Sequence, residues 1–221
     1  MFKAYLAAIG AAVAMAQSGI ISRLSGLAAA ELTFYRLFIG ACCLALFVAS
    51  RQQLRMLGQR PDRHTVLNGV MLASFMMAFL QAIQSLSLAN AILLVYLAPP
   101  LSAIIAHLWL HERLDAVSIG LVLSAFVGFA ALQEFKVDQL AGEQWPGFVF
   151  GLISLLTYTA FLLLNRQSRG GNALQRTFYQ LLVGALCVLP FLSSAPLPTL
   201  QQLPYAVAAG VVPGFLAIYL A

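Results

Sequence analysis

Eight apolar stretches, at about 4–21, 30–50, 65–84, 90–110, 115–133, 146–164, 173–193 and 204–221, dominate the chain and leave short linkers between them. Each approaches the roughly 20 residues that an α-helix needs to cross about 30 Å of hydrocarbon. All are far longer than the roughly 10-residue strands of an outer-membrane barrel. Charged residues make up 9% of the 221 and apolar residues 62%, against about 25% charged in an average soluble protein. So few ionisable groups cannot cover a water-soluble fold of this length. The chain therefore reads as all-α, a polytopic transmembrane helix bundle.

The formal charge of +5 does not point to nucleic acid, because the cations lie between the apolar stretches. Arg51, Arg55, Arg60 and Arg63 fall in the link after the second stretch, Arg113 after the fourth, and Arg166, Arg169 and Arg176 after the sixth. With Lys3 they place nine of the twelve Lys and Arg residues on one side; Arg23 and Lys136 lie on the other, and Arg36 lies within the second stretch. The positive-inside rule then puts the N-terminus in the cytoplasm and the 134–145 link outside. Cys42, Cys43 and Cys187 all fall inside apolar stretches and form no disulfide framework or CxxC pair. Met1-Phe2-Lys3, the following apolar run and Ala14-Met15-Ala16 also have the outline of a signal peptide with an A-x-A site. An uncleaved first helix is the preferred reading, since the repeat below gives this segment a counterpart.

Residues 33–47 recur at 177–191, a shift of 144, with eight of fifteen positions identical, Gly40/Gly184 and Cys43/Cys187 among them. The same shift lays the first stretch on the sixth without a gap, and Gly69-Val70 matches Gly210-Val211. Five helices per unit is an odd number, so the two copies are expected in opposite orientations. Inverted repeats of this kind mark secondary transporters. The expected organisation is a first repeat of five helices over 1–134, an extracytoplasmic linker over 135–145, and an incomplete second repeat of three helices over 146–221. Eight helices of an expected ten are then present.

The run from Asn68 to Phe129 resembles the first repeat of EamA-type transporters in the drug/metabolite transporter superfamily. The likeness rests on Ser87-Leu88-Ala89-Asn90-Ala91, Leu97-Ala98-Pro99-Pro100-Leu101, His111-Glu112-Arg113-Leu114, Ser118-Ile119-Gly120 and Val127-Gly128, with Arg36 in its Phe-Tyr-Arg-Leu context. It covers the whole chain, more strongly in the first repeat. The resemblance implies a ten-helix inner-membrane permease, usually an exporter of small metabolites such as amino acids, and this chain is truncated relative to that pattern. Arg36, Pro99 and Glu112 are the family-motif positions, read as structural.

Pro99-Pro100 should kink or interrupt the fourth helix, and Pro213 with Gly210 and Gly214 is expected to do the same to the eighth. Arg36 lies about two turns from the outer end of its helix, where it can snorkel outward or pair with Glu31. Substrate contact is the second reading for it. Glu112 fits a turn-stabilising role over a gating one, with Asp115 capping the next helix. His107 and His111 are one turn apart but have no evident third ligand, so no metal and no cofactor are expected. The candidate substrate-binding residues are Gln17, Ser74, Phe75, Tyr96, Ser102, Thr157 and Tyr158, polar and aromatic groups near helix midpoints that are costly against lipid. Interhelical hydrogen bonding is the plainer account of any one of them.

All seven carboxylates, Glu31, Asp62, Glu112, Asp115, Glu134, Asp138 and Glu143, lie at helix ends or in linkers. A mid-membrane proton carrier is thus not visible, and several cavity cations that a phosphorylated substrate would need are missing. A neutral or zwitterionic small molecule, moved by alternating access, is the expected substrate. The alternatives are a non-transporting remnant or partner-binding membrane protein and, less favoured, an intramembrane enzyme, for which no nucleophile–base pair or metal cluster is apparent. The expected partners are the lipid bilayer and a small-molecule substrate, with no nucleic acid, and a homo-oligomer is left open.

Overall fold

The computed structural model describes residues 10, 13, 17–58, 60–110, 119–120, 123–124, 127–128, 131, 144–168, 172–192, 198–199 and 201–216. Among them all regular structure is helical. We number the α-helices α1 Ala29–Ser50, α2 Arg63–Ser85, α3 Leu88–Tyr96, α4 Ala98–Leu110, α5 Trp145–Gln167, α6 Ala173–Val188 and α7 Leu203–Ala209. Short 3₁₀ turns follow α1 at Leu54–Gly58 and α6 at Leu189–Leu192, and α7 continues as a π-helix over Gly210–Leu216. Among the described residues five stretches are long and apolar enough to span a bilayer: Ala29–Ser50, Arg63–Ser85, Leu88–Trp109, Trp145–Gln167 and Ala173–Leu192. A shorter apolar helix runs over Leu203–Phe215. These six fall on the second, third, fourth, sixth, seventh and eighth expected stretches. Most of the first and fifth lies outside the described residues, as do Glu112, Asp115 and His111.

Helix ends follow local chemistry. The Glu31 carboxylate accepts from the Ala28 N–H at 2.9 Å, the backward half of a capping box at the start of α1. Ser87 caps α3 by accepting from the Asn90 N–H at 3.2 Å, and Asn172 caps α6 by accepting from the Leu174 N–H at 3.0 Å. The link into α1 turns at Gly26, whose φ of 62° is open to glycine without strain.

The chain divides into two compact units, Met1–Ala73 with Ser168–Ala221, and Ser74–Gln167, the division falling within α2. In the first unit α1 is the hub, packed on α6, α7 and the π segment. Its buried positions Leu37, Gly40, Ala41, Leu44 and Val48 recur at helical spacing, yet Phe38 and Leu46 on the outward side are apolar too. In lipid the packed face is distinguished by small residues that let backbones approach, not by hydrophobicity.

Those close approaches occur twice in related form. A Cβ on Gly210 would run into Ile39, and one on Gly69 would lie 2.9 Å from the Cβ of Val183. A Cβ on Gly40 would lie 3.1 Å from the Gly214 carbonyl oxygen, and one on Gly184 3.6 Å from the Ala73 Cβ. Adding 144 to Ile39 and Gly40 and subtracting 141 from Gly210 and Gly214 turns the first member of each pair of contacts into the second. Thus α1 sits on the π segment as α6 sits on α2.

The directions are opposed. Tyr179, near the start of α6, donates to the Leu57 carbonyl beyond the C-terminal end of α1 (2.6 Å), whereas Gly184 meets Leu37. Helix α6 therefore runs antiparallel to α1. The π segment meets α1 first at Ile39 from Gly210, then at Gly40 from Gly214, and Phe215 packs on Phe47 with ring centroids 6.0 Å apart, so it runs parallel to α1. Tyr35 and Tyr179, equivalent in sequence, lie toward opposite ends of α1.

In the second unit α3 and α4 both pack on α5. The expected interruption is present: Leu97 forms a turn between α3 and α4, directly before Ala98-Pro99-Pro100. Neither proline has an N–H, so the carbonyls of Val95 and Tyr96 lose their i+4 donors. Leu97, Ala98 and Leu155 form a buried cluster there, with Leu101, Tyr158 and Leu162 packed against it. Gly147 and Gly151 bring α5 onto Leu86 and Leu94.

Backbone lies within 3.0 Å of a Cβ at Gly69, and nothing lies within 4 Å of one at Gly58. Gly69→Val should lower unfolding stability in detergent by about 1–3 kcal/mol, while Gly58→Ala should leave the melting temperature unchanged.

Candidate functional site

Within the second unit the helix break gathers the aromatic candidates. Phe75 on α2 and Tyr158 on α5 stack at 4.5 Å between centroids with an interplanar angle of 22°. Phe79 continues the row from Phe75 at 6.3 Å, and Phe161 from Tyr158 at 6.0 Å. Tyr158 also packs against the cluster of Leu97, Ala98 and Leu155, so the stack adjoins the core that forms where α3 stops and α4 starts. Irregular backbone in a membrane is tolerated where it is enclosed by protein or lines a cavity, and broken helices are where transporters hold small ligands.

The polar candidates separate. The Ser102 hydroxyl, 1% exposed, donates to the Pro99 carbonyl at 2.7 Å. Thr157 donates to the Ile153 carbonyl at 2.7 Å on its own helix. Both hydroxyls are satisfied locally, which is how serine and threonine are accommodated in lipid. Ser74 is half-buried beside Phe75 on α2, and Tyr96, at the end of α3, is 68% exposed. Gln17 lies on the helical segment 17–25 of the other unit and is exposed.

One residue was missed by the sequence reading. Ser154 is 0% exposed and its hydroxyl has no hydrogen-bond partner among the described residues. It precedes Tyr158 by four residues and so shares its face of α5. That spacing was the available signal.

In the first unit Arg36 neither snorkels nor pairs with Glu31. It is 7% exposed, and its Nη2 donates to the Pro213 carbonyl at 3.4 Å in the π segment. Its Nε has no partner among the described residues. Glu31 is engaged with the Ala28 N–H instead. Gly214 makes the approach close enough, since a Cβ there would lie 2.6 Å from the Arg36 carbonyl oxygen. Arginine at a transmembrane helix centre costs about 2.5–3.5 kcal/mol on insertion scales.

Among the described residues no three His, Cys, Asp or Glu side chains converge as metal ligands. His64 and His107 are exposed, on the first turn of α2 and the last of α4.

Comparison with known proteins gives a consistent picture. The EamA-like transporter family matches residues 2–132. An uncharacterised transporter of Archaeoglobus fulgidus is 30% identical over 187 residues, 81% of this chain and 63% of its own. The uncharacterised transporter YxxF of Bacillus subtilis is 24% identical over 83% of this chain and 60% of its own. The pseudopaline exporter CntI of Pseudomonas aeruginosa is 27% identical over 84% of this chain and 65% of its own. The chain thus spans somewhat under two thirds of the length of these relatives. A solved crystal structure covers 98% of this chain and 77% of its own at a TM-score of 0.75 and 19% identity, which shows a shared fold.

Ser154→Ala removes a buried hydroxyl without a described partner and should leave stability unchanged or raise it by about 1 kcal/mol. Tyr158→Ala should lower stability by about 3 kcal/mol through the lost stack, and Tyr158→Phe should not. Thermal unfolding of the three variants in detergent checks all of these.

Proposed function

Since the chain belongs to the EamA-like transporter family, we propose that it is a multi-pass permease exporting small neutral or zwitterionic metabolites, amino acids among them, by alternating access. The observation that carries this reading is the exchange of contacts between α1 with the π segment and α6 with α2, in opposed directions. Two related halves of opposite orientation can trade roles, so that one arrangement opens to one side and its mirror to the other. The name of the Pseudomonas relative supports the outward direction.

In this reading residues 1–134 are the first repeat, 135–145 the extracytoplasmic linker and 146–221 belong to the second repeat. The chain sits in the inner membrane with its N-terminus in the cytoplasm. The Phe75–Tyr158 stack beside the broken helix is the part of the substrate site best supported by geometry. Phe75 and Tyr158 supply apolar and π surface, Ser154 the unsatisfied hydroxyl, and the Tyr96 carbonyl an acceptor that loses its i+4 donor to Pro100. Tyr96, Ser74, Ser102 and Thr157 complete the proposed lining within this unit, and Gln17 is a candidate contact of the other unit. No chemistry is asked of the site beyond binding and release.

Proteoliposomes loaded with labelled amino acids should lose at least one of them faster than empty-membrane controls, and Tyr158→Ala should slow that loss by about tenfold with unchanged membrane insertion. Equal loss from loaded control vesicles for every amino acid would favour the non-transporting reading. For orientation, in a background without native cysteines, Arg55→Cys should react with an impermeant maleimide only in opened cells, and Thr199→Cys in intact ones.

A further inference from the structure

Arg36 and Gln180 occupy equivalent places in the exchanged arrangement, and both are buried, at 7% and 5% exposure. Their surroundings differ in two linked respects. Beside Arg36 the chain carries Pro213 in a π-helical segment; the position equivalent to Pro213 is Leu72, inside the unbroken helix α2. The packing of one helix on the other is therefore achieved on the second side with a neutral amide and regular backbone. Helix packing alone does not call for a charge at residue 36.

The guanidinium meets a carbonyl oxygen, which neutralises nothing, and leaves Nε without a partner among the described residues. Its Nε–H and an Nη–H form the side-on edge that a carboxylate takes as a two-point pair. Arginine stays charged at any physiological pH. A π-helical interruption places backbone carbonyls of the adjoining segment out of register, and such interruptions concentrate at functional sites. The i→i+5 bonds of the π segment pass over Pro213, which has no N–H to give.

We propose that Arg36, beside the Pro213 interruption, is a subsite for the carboxylate of a small zwitterionic solute. This deepens the transporter reading and rests on it for the identity of the ligand as cargo. The broken pseudo-symmetry gives the solute one orientation, since the equivalent place at Gln180 offers no charge.

The test uses purified protein in detergent and the twenty amino acids, followed by the carboxamide of any that raises the melting temperature. At least one amino acid should stabilise the wild type, and its carboxamide should bind about 10- to 100-fold more weakly, the loss of a charge-assisted pair. Arg36→Gln, which installs the residue of the equivalent position, should bring acid and carboxamide to the same affinity. Arg36→Lys should recover part of the preference for the acid. Preference for the acid that survives Arg36→Gln overturns the proposal, as does stabilisation by none of the amino acids. Should Arg36→Gln fail to fold, an unchanged acid preference in Arg36→Lys and Pro213→Leu together overturns it. Stabilisation by phosphatidylglycerol alone, lost in Arg36→Gln, would assign the charge to a lipid and also overturn it. Flux through proteoliposomes is scored separately: flux with no role for Arg36 removes the subsite and leaves the transporter, and Arg36-dependent binding without flux does the reverse.

Discussion

Hydrocarbon offers no partner to a backbone N–H or C=O, and every other feature of this protein is arranged around that. Each segment that enters the apolar layer must close its own hydrogen bonds, which makes helices of about 20 residues the available form. Serine and threonine comply by bonding back to their own helices, as Thr33, Thr157 and Thr159 do to the carbonyls four residues earlier. Proline is where the rule is broken. Both internal interruptions, at Pro99-Pro100 and at Pro213, coincide with the parts of the molecule that have the most unusual polar or aromatic surroundings.

With lipid on the outside as apolar as the inside, hydrophobicity cannot hold such a bundle together. Close packing does so instead, and it depends on glycine where helices cross. The paired crossings at Gly40 with Gly214 and Gly184 with Ala73 give the first unit a near-symmetric frame. Against that frame the difference between Arg36 and Gln180 acquires meaning. In a symmetric arrangement a charge that appears once answers to something other than the frame.

Much of this was legible in the order of the residues. Five expected stretches coincide with helical spans to within a few positions, and the eighth begins where α7 does, because the length of an apolar run is set by the bilayer and not by tertiary partners. The break before Pro99 was equally plain, since a missing N–H is a covalent fact. At Pro213 the interruption takes the form of a π turn, with Gly214 and Gly210 letting the segment settle on α1. Arg36 was read toward the membrane surface or toward Glu31, five residues away. Its partner lies 177 residues on, and separation of that kind carries no local signature. Ser154 was passed over although its spacing from Tyr158 marked a shared face, because only packing shows that its hydroxyl is buried without a partner among the described residues, while Thr157, which was selected, spends its hydroxyl on its own helix.

Composition and apolar run length alone were enough for the helical, membrane-spanning class, and self-similarity at a shift of 144 residues pointed to two related copies, because these depend on the solvent and on the covalent chain. Which hydroxyls are satisfied, which rings stack and where a lone guanidinium points depend on how distant helices rotate about their axes. In a sequence that is apolar on every face, no pattern of hydrophobicity records that rotation; it is settled only when small residues meet across a crossing and the backbones close together.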